Sequence, residues 1–251
     1  MRGRSPLRMI VAVLLLLAVY GYAYKTGIVD SLAAAFEVDN PGPLREPAGL
    51  HNADLSELKA TGKTGTSPTA AKSLDALDGL PVAGRAPKTG YTRAQFGAPW
   101  SDVDHNGCDT RNDVLHRDLT TVVLTGGACV VATGTLADPY TARTIAFVRG
   151  KAPSSAVQID HLVALSDAWQ TGAQALSVTK RTALANDPRN LLAVDGPTNS
   201  AKGDSDAAGW LPPNKAFRCT YVARQVQVKD AYQLWVTPAE RTAIADVLKG
   251  C

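Results

Sequence analysis

The sequence lacks any large excess of charge of one sign. Its 26 Lys and Arg residues are nearly balanced by 23 Asp and Glu residues, which gives a formal net charge of +3. A nucleic-acid partner would therefore require a local basic patch or a bound cation. The chain also lacks the His-Glu-x-x-His and Gly-x-Ser-x-Gly motifs. Their absence disfavours zinc proteases and serine hydrolases.

The four cysteines include no Cys-x-x-Cys pair, which argues against a structural zinc site and against thioredoxin-like chemistry. An even number of cysteines is typical of a protein that is exported to an oxidising compartment, where free thiols are not expected. Three pairings are possible, and the nearest neighbours in sequence favour Cys108–Cys129 and Cys219–Cys251. The second pair would hold the C-terminal residue in place.

The first 25 residues predict export. Arg2, Arg4 and Arg8 precede an apolar run over residues 9–24, and Lys25 follows that run. Basic residues before an apolar segment keep the N-terminus in the cytoplasm and place the rest of the chain outside. The run is long for a cleaved signal peptide and short for a membrane span. Residues 1–25 are therefore either a signal peptide or an anchor on the outer face of the cytoplasmic membrane.

Residues 26–72 are rich in turn-forming residues and predict a flexible tether. Residues 73–251 carry the pattern of a small α+β domain. Predicted strands cover 122–124 and 129–132, which form a hairpin, then 144–148, 157–165, 191–194 and a strand through Arg218, Arg224 and Lys229. Predicted helices cover 166–174, 178–186, 199–208 and 238–249.

An acid–histidine pair, Asp160 and His161, interrupts an apolar strand pattern. Charged groups are costly to bury unpaired, yet a lone strand histidine is more often structural than catalytic. The residues that follow favour catalysis. Asn190 and Asn199 are nine positions apart, and Lys202 follows Asn199 by three, which places these last two on one face of a helix.

This spacing resembles the pattern of HNH nucleases, and in particular the HNH-like C-terminal domain of GmrSD-type restriction enzymes as it occurs in exported bacterial proteins. The resemblance extends over about residues 74–251. Its motifs are Asp-His-Leu-Val-Ala-Leu (160–165), Asn-Asp-Pro-Arg-Asn-Leu-Leu-Ala-Val (186–194), Asn-Ser-Ala-Lys-Gly-Asp (199–204), Trp-Leu-Pro-Pro (210–213) and Asn-Gly-Cys-Asp-Thr-Arg-Asn-Asp (106–113).

The resemblance implies a ββα-metal (His-Me finger) core with a divalent cation. In that core His161 would be the general base that activates water. Asp160 and Asn199 would bind the cation. Asn190 would hold the loop that orients His161, and Lys202 would contact the phosphate. Asn in place of the final His of the HNH pattern favours magnesium, with manganese or calcium as alternatives.

Two further features concern the segment before the hairpin. Asp102, Asp104 and Asn106 have the spacing of a calcium loop, although a turn capped by Asp side chains explains the same residues. Arg111 would bind a substrate phosphate, and a structural Arg–Asp contact is an equal competitor.

These observations predict a metal-dependent endonuclease that hydrolyses phosphodiester bonds of DNA outside the cytoplasm, with RNA as a possible second substrate. No helix-turn-helix or zinc-finger motif is found, so low sequence specificity is expected. The alternative is a non-catalytic binding module on the same fold. The membrane would be a partner only if residues 1–25 stay uncleaved, and the sequence indicates no protein partner.

Overall fold

The computed structural model describes residues 67–151 and 153–251. The predicted export segment and residues 26–66 of the predicted tether lie outside this range. Helix α1, Pro68–Gly79, begins five residues before the predicted domain start at residue 73. Ser67 caps it by accepting a hydrogen bond from the Ala70 amide at 3.2 Å, and proline is favoured at the first helical position. No helix in the described part is long and apolar enough to cross a membrane.

A three-stranded antiparallel sheet forms the first layer. Helix α2, Thr110–Asp118, leads into strands β1, Leu119–Thr125, β2, Val130–Ala137, and β3, Thr144–Val148, in the order β1-β2-β3. The predicted hairpin and the predicted strand at 144–148 are confirmed. The apolar face of α2 packs against the sheet in one of the three hydrophobic cores.

A second, two-stranded sheet lies further along the chain. Strand β4, Val157–His161, pairs antiparallel with β5, Leu191–Asp195, and Asp160 lies opposite Leu192. Helix α5, Gly196–Lys202, follows β5 directly and packs against both strands. Its Asp195 cap accepts the Thr198 amide at 2.8 Å. The sequence prediction that this helix covers 199–208 was wrong, because the Asp cap starts it at Gly196 and Gly203, with φ 59°, ends it.

Between β4 and β5 the chain forms helices α3, Leu165–Gln170, and α4, Val178–Asn186. The prediction for α4 is confirmed at both ends. Helix α3 ends before the predicted residue 174 because Gly172 adopts φ 126° and lies against the Trp235 ring. A left-handed glycine is a common way to end a helix.

The C-terminal part is helical. Helix α6, Arg218–Ala231, replaces the predicted strand through Arg218, Arg224 and Lys229, so that prediction was wrong. Tyr221, Val222 and Val226 recur at helical spacing and are fully buried. Helix α7, Pro238–Lys249, matches its prediction and packs with α1 and α6.

Two disulfides hold the α+β fold, and both were expected from the sequence. Cys108–Cys129 joins the segment before α2 to the start of β2, with the Cα atoms 5.3 Å apart. Cys219–Cys251 joins α6 to the end of the chain, with the Cα atoms 6.0 Å apart. Among the described residues no cysteine is free.

Candidate active site

Asp160 lies near the end of β4 in the interior of the domain and is 5% exposed. Its Oδ1 accepts a hydrogen bond from Lys202 Nζ at 2.9 Å, and its Oδ2 accepts one from the Tyr140 hydroxyl. Burial raises the pKa of the carboxyl group, although Lys202 and Tyr140 act in the opposite direction. Each carboxylate oxygen keeps a lone pair beyond the one engaged here. The group can therefore accept a further ligand.

Lys202 is buried, with 1% of its surface exposed. Besides the bond to Asp160, its ammonium donates to the backbone oxygen of His161 at 2.7 Å. These two bonds connect the end of α5 to the end of β4. The predicted contact of Lys202 with a phosphate stays a prediction, and two of the three donors of its ammonium are already engaged by these acceptors.

His161 is the last residue of β4 and is 8% exposed. Its Nε2 lies 2.9 Å from the backbone oxygen of Ala185. A carbonyl only accepts hydrogen bonds, so Nε2 carries the proton and Nδ1 holds the free lone pair. Burial, followed by the positive charges of Arg93 and Lys202, lowers the pKa of the imidazole to about 4. At neutral pH the ring is uncharged, as a proton acceptor must be.

Asn190 directly precedes β5, is fully buried, and bonds to the segment after β4 and to helix α4. Its Oδ1 accepts from the Val163 amide at 2.8 Å, and its Nδ2 donates to the Val163 and Leu184 oxygens at 3.3 and 3.4 Å. Its backbone oxygen accepts from the Leu162 amide at 2.8 Å. Asn190 therefore bonds to Leu162 and Val163, the two residues that directly follow His161.

Asn199 lies in the middle of α5 and is partly buried. Its Nδ2 donates to Gln158 Oε1 on β4 at 2.9 Å. Its Oδ1 accepts no hydrogen bond from the residues that the structure describes. An amide oxygen left free in this way suits a hard divalent cation, which prefers oxygen ligands.

Two cavities share His161. The first, of about 370 Å³, is lined by Asp160, His161 and Asn199 together with Lys88 and other residues. The second, of about 660 Å³, is lined largely by apolar groups of residues 93–100. Arg93, His161 and Leu165 line both. The structure thus brings three of the predicted site residues together in one polar cavity.

The other predicted site residues lie elsewhere. Arg111 lines neither cavity, and its guanidinium stacks over the Trp100 ring, 5.8 Å from the centroid. Burial and the neighbouring Arg149 lower its pKa. In the predicted calcium loop, Asp102 and Asp104 accept hydrogen bonds from the Asn106 amide at 3.2 and 3.3 Å. A turn capped by Asp side chains, the alternative to a calcium loop, contains the same kind of hydrogen bond.

A separate cluster of buried carboxylates surrounds Lys229. Asp167, Asp206 and Glu240 each offer an oxygen within 4.8 Å of the other two. Lys229 Nζ lies 2.7 Å from Glu240 and 3.3 Å from Asp167, and Arg85 lies 2.9 and 2.8 Å from Asp167 and Asp206. Because each of the three acids already forms an ion pair with Lys229 or Arg85, the cluster is an ion-pair network and a poor metal site.

Sequence reasoning missed Tyr140, Gln158 and the residues 93–100. Tyr140 and Gln158 act through contacts between distant segments, for which no local pattern exists. Phe96 and Trp100 are visible in the sequence as aromatic residues, but a linear pattern does not distinguish an aromatic cavity wall from an aromatic core.

Comparison with known proteins agrees with the sequence pattern. A family model described as "GmrSD restriction endonucleases, C-terminal domain" matches residues 109–247. A protein of Arthroderma benhamiae described as "Uncharacterized secreted protein" is 37% identical over 186 residues, which cover 73% of this chain and 87% of the relative. No solved structure matches the chain. The five predicted catalytic and metal-binding residues all lie within the matched range.

Proposed function

The chain belongs to the family of GmrSD restriction endonuclease C-terminal domains, and from this premise we propose that it is a metal-dependent endonuclease. It hydrolyses phosphodiester bonds of DNA outside the cytoplasm, with low sequence specificity and with RNA as a second substrate. Strands β4 and β5 and helix α5 form its ββα-metal core.

The observation that carries this proposal is the placement of His161 and Asn199 around one polar cavity. The base comes from the end of a strand and the amide ligand from the helix that packs on it. A hydrolytic nuclease needs these two functions a few ångströms apart, since the attacking water and the charged phosphate must be held together.

His161 acts as the general base. Its Nε2–H bond to Ala185 fixes the ring, so Nδ1 takes the proton from the water that attacks phosphorus. Asn190 keeps this geometry through its bonds to Val163, just after β4, and to Leu184 on helix α4. Lys202 acts mainly by holding Asp160 and the His161 backbone in place.

The residues present fit a magnesium ion, with manganese or calcium as alternatives. Asn199 offers a free amide oxygen, and Asp160 offers the remaining lone pairs of a buried carboxylate. Magnesium commonly takes one or two protein oxygens and keeps several waters. When bound, the cation supplies positive charge that offsets the charge that develops on the scissile phosphate. Arg111, whose guanidinium lies over the Trp100 ring, would contact a phosphate that flanks the scissile one.

The location outside the cytoplasm has two supports. Two disulfides form among the described residues, and such bonds persist in oxidising compartments. The related protein of Arthroderma benhamiae is described as secreted.

One observation favours the alternative, a non-catalytic nucleic-acid-binding module. Both oxygens of Asp160 already accept hydrogen bonds, from Lys202 and Tyr140. A structural Asp in this position would leave Asn199 as the only protein ligand.

Cleavage of supercoiled plasmid distinguishes the two. The whole oxidised chain is incubated with magnesium, manganese, calcium or chelator, beside His161→Ala and His116→Ala. His116 is an exposed histidine on α2 and serves as the matched control. We expect metal-dependent nicking that His161→Ala reduces at least a hundredfold and His116→Ala leaves unchanged. Cleavage of neither plasmid nor RNA by the folded chain with any metal would put the binding module first.

A further inference from the structure

The proposed reaction does not use the larger cavity, of about 660 Å³. Seven of the eight residues 93–100, all except Gln95, form one part of its lining, and His161, Leu165, Ala185 and Asn186 supply the rest. These residues make the cavity mainly apolar, unlike the polar cavity beside it. The strip 93–100 also lies outside the range of the family match, 109–247.

Trp100 has an unusual backbone conformation within this strip. Its φ is 58°, in the left-handed region that bulky residues rarely adopt. Ser101 on its C-terminal side is held at both ends, because its hydroxyl donates to the Ala98 oxygen at 2.9 Å and its backbone oxygen accepts from the Thr110 hydroxyl. Strain of this kind persists where the surroundings impose it, and it is concentrated at ligand sites. Arg111 stacks over the ring of Trp100.

The strip is also held firmly against helix α4. Gly97 has φ 80°, and a Cβ atom there would lie 2.3 Å from the Thr182 hydroxyl oxygen. Arg181 on the same helix donates to the Gln95 backbone oxygen at 2.7 Å. The cavity wall is therefore preformed, which is typical of small-ligand sites.

We propose that this cavity receives an unpaired nucleobase of the substrate, which stacks on Trp100 while Arg93 holds the adjoining phosphate next to His161. The identity of the ligand rests on the proposed function. The shared lining residues Arg93, His161 and Leu165 place a group bound in the apolar cavity beside the polar one. The Arg93 guanidinium is exposed and makes no ion pair or hydrogen bond to any other described residue, so it is available to a phosphate.

The preference for single strands follows from this placement. A base can enter the cavity only after it leaves its stack and its partner base. Stacking on an aromatic ring tolerates every base, because each base has a π face. The enzyme therefore favours single-stranded or locally unpaired nucleic acid and has little sequence specificity.

The test measures binding separately from cleavage. The whole chain is titrated, in chelator, against labelled oligothymidylate, oligouridylate and a closed duplex that has no free ends, with fluorescence anisotropy as the readout. We expect the single strands to bind more tightly than the closed duplex. Trp100→Ala weakens single-strand binding about tenfold, whereas Trp100→Phe stays within about threefold of the wild type.

Trp235→Ala is the matched control, since this partly buried Trp lines neither cavity. Ala98→Leu is a second variant, in which Trp100 is kept and an exposed position of the lining is enlarged by an aliphatic side chain that offers no stacking surface. It fills the cavity and weakens single-strand binding to a similar extent. This variant therefore still tests the cavity assignment if Trp100→Ala does not fold.

The outcomes separate the two proposals. Equal single-strand affinity in the wild type, Trp100→Ala and Ala98→Leu overturns the cavity assignment, and so does tighter binding of the closed duplex. If the wild type cleaves both strand types and Trp100→Ala cleaves them in the same ratio, hydrolysis stands and the cavity assignment fails. If nothing is cleaved but Trp100-dependent single-strand binding remains, the cavity assignment stands and the proposed hydrolysis fails.

Discussion

At the scale of single residues, the site depends on one buried ion pair. Asp160 and Lys202 are 5% and 1% exposed, and their charged atoms lie 2.9 Å apart. Removal of one member of such a pair leaves the other charge without compensation, whereas removal of both costs much less. The pair also connects the strand that ends in His161 to the helix that carries Asn199.

Lys202→Met is therefore expected to lower the free energy of unfolding by about 3–5 kcal/mol. The double variant Asp160→Asn with Lys202→Met should recover at least half of this loss. Urea unfolding at pH 7 in chelator measures both. A double variant that is less stable than Lys202→Met alone would show that the pair does not account for the loss.

Asn199 should affect cation binding with little effect on stability. Asn199→Ala removes the free amide oxygen and is expected to abolish magnesium-dependent cleavage, with a change in unfolding free energy below about 1 kcal/mol. Asn199→Asp keeps an oxygen ligand and should retain binding. Manganese titration by calorimetry checks this, with Ser200→Ala, its exposed neighbour, as the control. Unchanged manganese affinity in Asn199→Ala would remove this residue from the proposed site.

At the scale of elements, the wall of the larger cavity depends on the contact between residues 93–100 and helix α4. Gly97→Ala places a methyl group against Thr182 and forces alanine into a left-handed conformation. We expect a loss of at least about 2 kcal/mol in unfolding free energy. Gly84→Ala is the matched control, because its Cβ would meet nothing within 4 Å, and it should change stability by less than about 0.5 kcal/mol. Equal melting temperatures for the two variants would contradict this account.

Elements with strong local signals were predictable from the sequence. Helix α7 begins at a Thr237–Glu240 capping box, and α4 begins after the Ser177 cap, so both match their predicted bounds. Helix α6 was mistaken for a strand, because basic residues alternating with apolar ones fit either period when burial is unknown. The candidate site residues were predicted from their spacing and from the family resemblance that it carries. The burial of Lys202 and the position of residues 93–100 depend on contacts between distant segments, which spacing does not encode.

At the scale of the whole molecule, the network around Lys229 joins α3, α6 and α7 in the interior. Burial raises the pKa of Glu240 from its ordinary value of 4.5 to about 7, even though Lys229 lies beside it. The folded protein therefore binds a proton at this group more readily than the unfolded chain does. Its contribution to stability is fully present below pH 4.5 and is lost as the pH rises to about 7.

Glu240→Gln should remove this pH dependence. In the wild type we expect the contribution of this group to fall by roughly 3 kcal/mol between pH 4.5 and pH 7.5. The unfolding free energy of the wild type, measured relative to that of Glu240→Gln, should therefore decrease over that range. Asp246→Asn, at an exposed site on α7, serves as the control. A difference that stays constant or grows with pH would show that folding does not raise the pKa of Glu240.

The two cavities are built from separate stretches of the chain. The proposed base and cation ligands come from β4 and helix α5. The aromatic wall comes from residues 93–100, more than fifty positions earlier. The two stretches meet only in the folded molecule, at His161. If both proposed roles hold, substitutions in the wall change which nucleic acids are cleaved and leave the groups proposed for hydrolysis intact. Relatives that share β4, β5 and α5 but differ in this wall would then catalyse the same reaction on different nucleic-acid substrates.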